Sequence, residues 1–147
     1  MLRPSRSSLF VPGNRAAWIE KAAGYGADTL ILDLEDSVPD QEKAAARPIV
    51  RAGIKALAKK GQAASVRVNG FATGLTLDDL EGVVCPELAS VTLPKVETPA
   101  DMHELDATRA RPAFRIRRSR RGGTSRTSKA SSATRRGTGS SATVARR

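Results

Sequence analysis

Apolar positions gather into four short runs, at residues 8–11, 29–34, 64–68 and 90–93. Each run is followed by turn residues and then by a stretch with helical spacing. The run at 29–34 is almost continuously apolar, which predicts a strand covered on both faces of a parallel sheet. After the first run, Asn14 is placed to cap a helix over 14–25. Trp18, Ile19, Ala22 and Ala23 share one face of it, and Gly24 and Gly26 end it. Trp18 is read there as helix–sheet packing. After the second run, Pro39, Asp40 and Glu42 suit a helix N-terminus, Ile49, Val50, Ile54 and Leu57 form an apolar face, and Gly61 stops the helix. Pro48 interrupts that pattern. An interior proline costs about 3 kcal/mol, so a kink or two shorter helices are expected. After the third run, Thr76-Leu77-Asp78-Asp79 has the spacing of a capping box, with Leu77, Leu80 and Val84 on the buried side. A fourth helix begins near Thr98.

Strand and helix alternating four times predict βα units and a parallel sheet. Two architectures compete: an open doubly wound sheet and part of a (β/α)₈ barrel. The first βα turn, Pro12-Gly13-Asn14, is not G-x-G-x-x-G, and no P-loop is present, so neither phosphate-binding motif is supported.

Composition changes the picture at one point. The chain has 147 residues and a formal net charge of +10, which suggests a nucleic-acid or anionic-surface binder. The charge is unevenly spread, however. Residues 1–106 carry 12 basic and 15 acidic side chains, and residues 107–147 carry 13 basic and none acidic. A mildly acidic body is therefore followed by a basic segment. Cys85 is the only cysteine, which excludes an intramolecular disulfide. There is neither a signal-peptide h-region nor an apolar run long enough for a membrane span, so a cytoplasmic location without membrane partners is expected.

Polar residues crowd the C-terminal ends of the predicted strands, where α/β sheets and barrels bind ligands. The second strand ends in Asp33-Leu34-Glu35-Asp36, the third carries Arg67 and Asn69, and the fourth ends in Lys95-Val96-Glu97. Arg67 lies between Val66 and Val68, where a charge is costly unless it meets an anion or a carboxylate. Asp33, Glu35, Asp36 and Glu97 are available to pair with it. The competing reading is an ion-pair network that only orders the core. His103 is read as a solvated residue and Cys85 as a small core filler.

Seven segments, at 7–15 (SSLFVPGNR), 26–28 (GAD), 30–38 (LILDLEDSV), 42–47 (EKAAAR), 66–69 (VRVN), 73–80 (TGLTLDDL) and 93–97 (LPKVE), carry a resemblance through both their order and their spacing. Together they resemble the citrate lyase beta-subunit-like branch of the HpcH/HpaI aldolase family, over residues 5–106. The resemblance implies the N-terminal half of a TIM barrel, about four βα units. It also implies a Mg²⁺-dependent carbon–carbon lyase acting on citryl-, malyl- or citramalyl-CoA-type esters. It makes Arg67 the catalytic arginine, with Arg67 and Asn69 expected to bind substrate. Asp33, Glu35 and Asp36 become supporting acids, of which Glu35 and Asp36 orient Arg67 or reach the metal's water shell, and Lys95 and Glu97 are further candidates. The partners implied are a CoA thioester or an oxo or hydroxy acid, and a homo-oligomer, a trimer in the intact family. The family's metal-binding Glu and Asp lie on later strands, so no metal ligand is expected in this chain.

Residues 107–147 lack hydrophobic periodicity and are rich in Arg, Ser, Thr, Gly and Ala, which predicts disorder. Three readings compete for them: a nucleic-acid-binding arm, a solvated linker, and out-of-frame sequence replacing the rest of a barrel of about 250 residues. The last is preferred because the family pattern stops mid-barrel. It carries the expectation of weak or no lyase activity from this chain. A non-enzymatic nucleic-acid binder is the alternative function.

Overall fold

The apolar runs become four strands: β1 (Ser8–Pro12), β2 (Thr29–Asp33), β3 (Ala63–Arg67) and β4 (Ser90–Thr92). They are parallel and lie side by side in sequence order, with Pro12, Asp33 and Arg67 in register at their C-terminal ends. The computed structural model describes residues 5–109 and 143–145. Helices α1 (Ala16–Ala22), α2 (Lys43–Lys59), α3 (Thr76–Val83) and α4 (Pro99–Arg109) follow the four strands in turn. Doubly wound sheets reverse their strand order at a switch point. The unreversed order 1-2-3-4 is the winding of the barrel type.

One sheet face is apolar and carries the helices. Val11, Leu30, Leu32, Ala64, Val66 and, from the helices, Ile19, Val50, Ile54, Leu57, Leu80 and Val83 are buried there. The opposite face is mixed. Phe10 is exposed on it, Thr29 and Ile31 are half-buried, and Ser65, Ser90 and Thr92 form a hydroxyl cluster. The expectation that β2 is covered on both faces therefore fails on the Ile31 side. Gly13 turns the chain from β1 towards α1, and its N–H donates to the Asp33 carbonyl at 2.8 Å. A Cβ at Gly13 would lie 2.6 Å from that oxygen, so only glycine permits the approach.

Several local expectations give way to longer-range contacts. Asn14 does not cap α1; its side-chain amide donates to Glu42 Oε2 at 2.6 Å. Trp18 points to solvent, 60% exposed, because Ile19 and Ala22 already fill the helix–sheet contact. Residues Asp40–Glu42 form a separate 3₁₀ turn, after which α2 continues through Pro48 to Lys59 as a single helix. The capping box at α3 does not form: Thr76 and Asp79 are buried and their side chains bond elsewhere. On that helix Val83 is buried where Val84 was expected.

The body also extends past residue 106. Helix α4 runs to Arg109, with Leu105 and Thr108 buried. In the basic segment, β5 (Thr143–Ala145) pairs antiparallel with β4. The expectation of disorder over 107–147 does not hold at 107–109, which are helical, or at those three strand residues. An edge strand offers a row of unpaired backbone groups, and any extended segment that reaches it gains hydrogen bonds. Residues 110–142 and 146–147, on which the rest of that expectation falls, lie outside the described residues. Among the described residues no helix is long and apolar enough to cross a membrane.

Candidate functional site

Asp33 and Arg67 end neighbouring strands in register, so their side chains meet on the mixed face of the sheet. Arg67 Nε donates to Asp33 Oδ1 and Nη2 to Oδ2, both at 2.8 Å. This is the bidentate fork that a planar guanidinium makes with a carboxylate. The remaining edge, Nη1, lies 3.2 Å from Asp36 Oδ2 and 3.0 Å from Glu35 Oε2. The Glu35 contact is an ion pair without hydrogen-bond geometry, which leaves the buried Oε2 with no hydrogen-bond donor. Glu35 Oε1 sits 3.0 Å from Lys95 Nζ. The guanidinium carbon lies 4.9 Å from the centre of the Phe10 ring, a cation–π contact from β1.

Asp33 is the anchor of this cluster. It also accepts from the backbone N–H of Glu35 (2.9 Å) and Ser37 (3.1 Å), and from the Ser37 hydroxyl (2.6 Å). Burial by itself raises the Asp33 carboxyl, but donation from Arg67, Ser37 and the two N–H groups outweighs it and lowers it to about 2. Arg67 is held above its ordinary value by its hydrogen bond to Asp33, against the effect of burial. The hydrogen bond to Glu35 raises Lys95 in the same way.

The Asp33 shift has a sign that can be checked. Its folded value lies below the unfolded value of about 3.9, so its stabilisation is complete above that pH and is lost as pH falls towards 2. A depression of this size corresponds to roughly 2 kcal/mol. In Asp33→Asn, urea unfolding between pH 6 and pH 2 should give a flatter acid limb and lower stability at neutral pH. An acid limb unchanged in the variant would rule Asp33 out as its source.

Behind the cluster lies a second, buried network. Asn69 follows β3; its N–H and side-chain amide donate to Asp79 Oδ2 at 2.9 and 2.7 Å. Its amide also donates to the Leu34 carbonyl, and its Oδ1 accepts from Lys43 Nζ at 2.8 Å. Arg47 Nε donates to Asp79 Oδ1 at 2.9 Å. Gly82 lets Arg47 cross α3 closely, since a Cβ there would lie 2.9 Å from the arginine Cβ.

The structure thus gathers Arg67, Asp33, Glu35, Asp36 and Lys95 at one place. Asp36 and Lys95 are its solvent-facing members, with side chains 65% and 75% exposed. Lys95 holds φ at 53°, the left-handed region that L-residues rarely adopt. Glu97 stands apart and exposed, its N–H bonded to Asp101. Asn69 is buried with its side chain engaged internally, so it supports the site from behind. Sequence reasoning missed Phe10, Ser37, Lys43, Arg47 and Asp79 as members of these networks. His103 is exposed, and Cys85 is buried with its thiol pushed up by burial.

The family model for HpcH/HpaI aldolase/citrate lyase matches residues 6–139. The chain belongs to this family. The match passes residue 106 and enters the basic segment. Among curated relatives, the citrate lyase beta subunit of Leuconostoc mesenteroides subsp. cremoris is 38% identical over 105 residues, covering 71% of this chain and 35% of the relative. The L-malyl-CoA/beta-methylmalyl-CoA lyase of Cereibacter sphaeroides is 39% identical over 108 residues, covering 71% and 34%. The chain therefore spans about a third of the length of the curated relatives it matches. Among solved structures, CitE of Mycobacterium tuberculosis with magnesium, acetoacetate and coenzyme A superposes with a TM-score of 0.58 at 35% identity, covering 71% of this chain and 38% of that one. These relatives favour an enzyme over a nucleic-acid binder.

Magnesium is present in that CitE structure, so the residues here can be tested for a fit. Every Asp, Glu, His and Cys of this lyase-family chain lies among the described residues. None of them gathers in a group of three or more that could hold a metal ion. The three site carboxylates are turned onto Arg67 and Lys95 instead. The residues present do not fit the ion.

Proposed function

We propose that this chain carries the substrate-anion arginine of a carbon–carbon lyase acting on a 3-hydroxyacyl-CoA-type ester. One observation carries the reading. The Arg67 guanidinium stands at the C-terminal end of β3, fixed on Asp33 through Nε and Nη2, with Nη1 turned to the exposed Asp36. In such cleavage the 3-hydroxyl loses its proton and the C2–C3 bond breaks. The electron pair becomes an enolate on the thioester fragment, which takes up a proton at C2. The other fragment leaves as a carbonyl compound, an oxo acid when it bears a carboxylate. A pre-oriented guanidinium stabilises negative charge of this kind without reorganising. The fork geometry suits either the enolate or a substrate carboxylate.

The cluster holds three carboxylates against two cations, so an anionic ligand reaches Arg67 by displacing the exposed Asp36. The same reading takes the described body as the first four βα units of the barrel. Residues 107–147 add no Asp, Glu, His or Cys. The full chain should therefore bind an oxo acid but cleave the thioester little or not at all. Calorimetry with acetoacetate should show saturable binding, and malyl-CoA cleavage with Mg²⁺ should stay at the blank rate. Absence of acetoacetate binding would remove the function. Turnover at an ordinary enzyme rate, about 1 s⁻¹ or more, would overturn the second expectation.

A further inference from the structure

Lys43 is a lysine in the core, and burying an ammonium is costly unless its donors are all met. They are met by Leu34 O at 2.9 Å, Glu35 O at 2.7 Å and Asn69 Oδ1 at 2.8 Å. The nearest carboxylate in its ion pairs, Asp40, stands 3.9 Å away and is largely solvated. The ammonium is thus directed at the backbone of the loop after β2 rather than at a countercharge.

That loop lies between two opposite charges. The peptide unit joining Leu34 to Glu35 gives its carbonyl to Lys43 Nζ and its N–H to Asp33 Oδ1, at 2.9 Å each. The next carbonyl also points at Lys43, and the Ser37 N–H points at Asp33. One peptide dipole therefore bridges the lysine and the aspartate. A continuous chain of charge-assisted bonds runs from Lys43 through this peptide to Asp33 and on to both arms of the Arg67 fork. The loop also carries Glu35 and Asp36, the two carboxylates on Nη1.

We propose that Lys43 is a positioning residue for the Arg67 site, acting through the Leu34–Glu35 peptide and Asp33. Its relevance to substrate rests on the reading of Arg67 given above. A lysine that only filled the core would support Leu34 without controlling the guanidinium.

The test compares Lys43→Met, which keeps the length and removes the charged head, with Lys43→Arg in the full chain at neutral pH. Two quantities are read. The first is water exchange of the Arg67 Nε–H by ¹⁵N NMR, relative to the Leu32 backbone amide as a core reference. The second is acetoacetate affinity by calorimetry. In Lys43→Met the relative exchange should rise about tenfold or more and affinity should fall about tenfold, the low end for a lost charge-assisted bond. Lys43→Arg should lie between that variant and wild type, because a fork cannot replace a single nitrogen between two adjacent carbonyls. Relative exchange that stays at the wild-type ratio in Lys43→Met, whatever the change in melting temperature, overturns the proposal. If Lys43→Met does not fold, Lys43→Arg decides, and a wild-type ratio there overturns it. If wild type binds no acetoacetate, the substrate reading fails while the exchange measurement still decides the role of Lys43.

Discussion

Lys in place of Arg67 should abolish most acetoacetate binding while leaving the chain folded. Arg67→Lys keeps one positive charge near Asp33 but loses the planar fork. A lysine can satisfy Asp33 or reach outward, and it cannot do both with fixed geometry. A hydrogen bond to a charged group is worth about 1.5–3 kcal/mol, so affinity should fall between about tenfold and about 150-fold. The companion variant is Asp36→Asn. Asp36 is the exposed carboxylate that an incoming anion has to displace. Removing its charge should tighten acetoacetate binding by about fivefold, the size expected for one unit charge at about 4 Å in a water-like medium. Opposite signs in the two variants are the signature of an anion site at the Nη1 edge. If Arg67 only orders the core, Arg67→Lys will lower the melting temperature and Asp36→Asn will do nothing to binding. Calorimetry at a temperature where both variants are folded separates the two readings.

Much of the fold was legible because its signals are periodic. Four apolar runs each landed within a residue or two of the observed strand ends. Alternation along the chain left no connection but the parallel crossover. Arg67 was legible for a different reason: a charge flanked by Val66 and Val68 on a strand has to find a carboxylate, and Asp33 was on the adjacent strand. The capping misses share one cause. Asn14, Thr76 and Asp79 have local spacing that suits helix capping, and a sequence shows local spacing only. In the fold each meets a partner from elsewhere, Glu42, the Asn69 carbonyl and Arg47 respectively. Bonds to charged partners are roughly twice as strong as neutral ones, so Asn14 and Asp79 leave the caps. Lys43 was illegible because nothing along the chain marks a lysine whose ammonium ends on two carbonyls. Trp18 was misplaced because the smaller Ile19 and Ala22 already fill the contact that was assigned to it. Helix α4 crossed the compositional boundary at 106 because its buried residues, Leu105 and Thr108, straddle the point where the acidic residues end.

The buried network also makes the largest stability prediction. Asp79 is fully buried, 0% exposed, and its two oxygens take Arg47 Nε and both donors of Asn69. Asp79→Ala leaves a mostly buried guanidinium with only the exposed Asp78, 3.5 Å from Nη1, and takes the acceptor from two buried N–H donors. Breaking a buried pair from one side costs about 3–5 kcal/mol, which for a domain of this size is a fall in melting temperature of roughly 10 °C or more. Removing both charges together should be much milder. The double variant Arg47→Met with Asp79→Leu replaces the pair with apolar groups, a change that is often neutral, although Asn69 still loses an acceptor. Thermal unfolding of the two singles and the double gives the coupling directly. A loss below about 1 kcal/mol in Asp79→Ala, the range of exposed ion pairs, would mean that the carboxylate is dispensable. The site should register the same change. Asn69 hands its Oδ1 to Lys43, and Lys43 holds the loop that carries Glu35 and Asp36. A variant at Asp79, on a helix away from the Arg67 fork, should therefore weaken acetoacetate binding as well as stability. The apolar double should recover the second more fully than the first, because it restores packing but not the hydrogen bonds that orient Asn69.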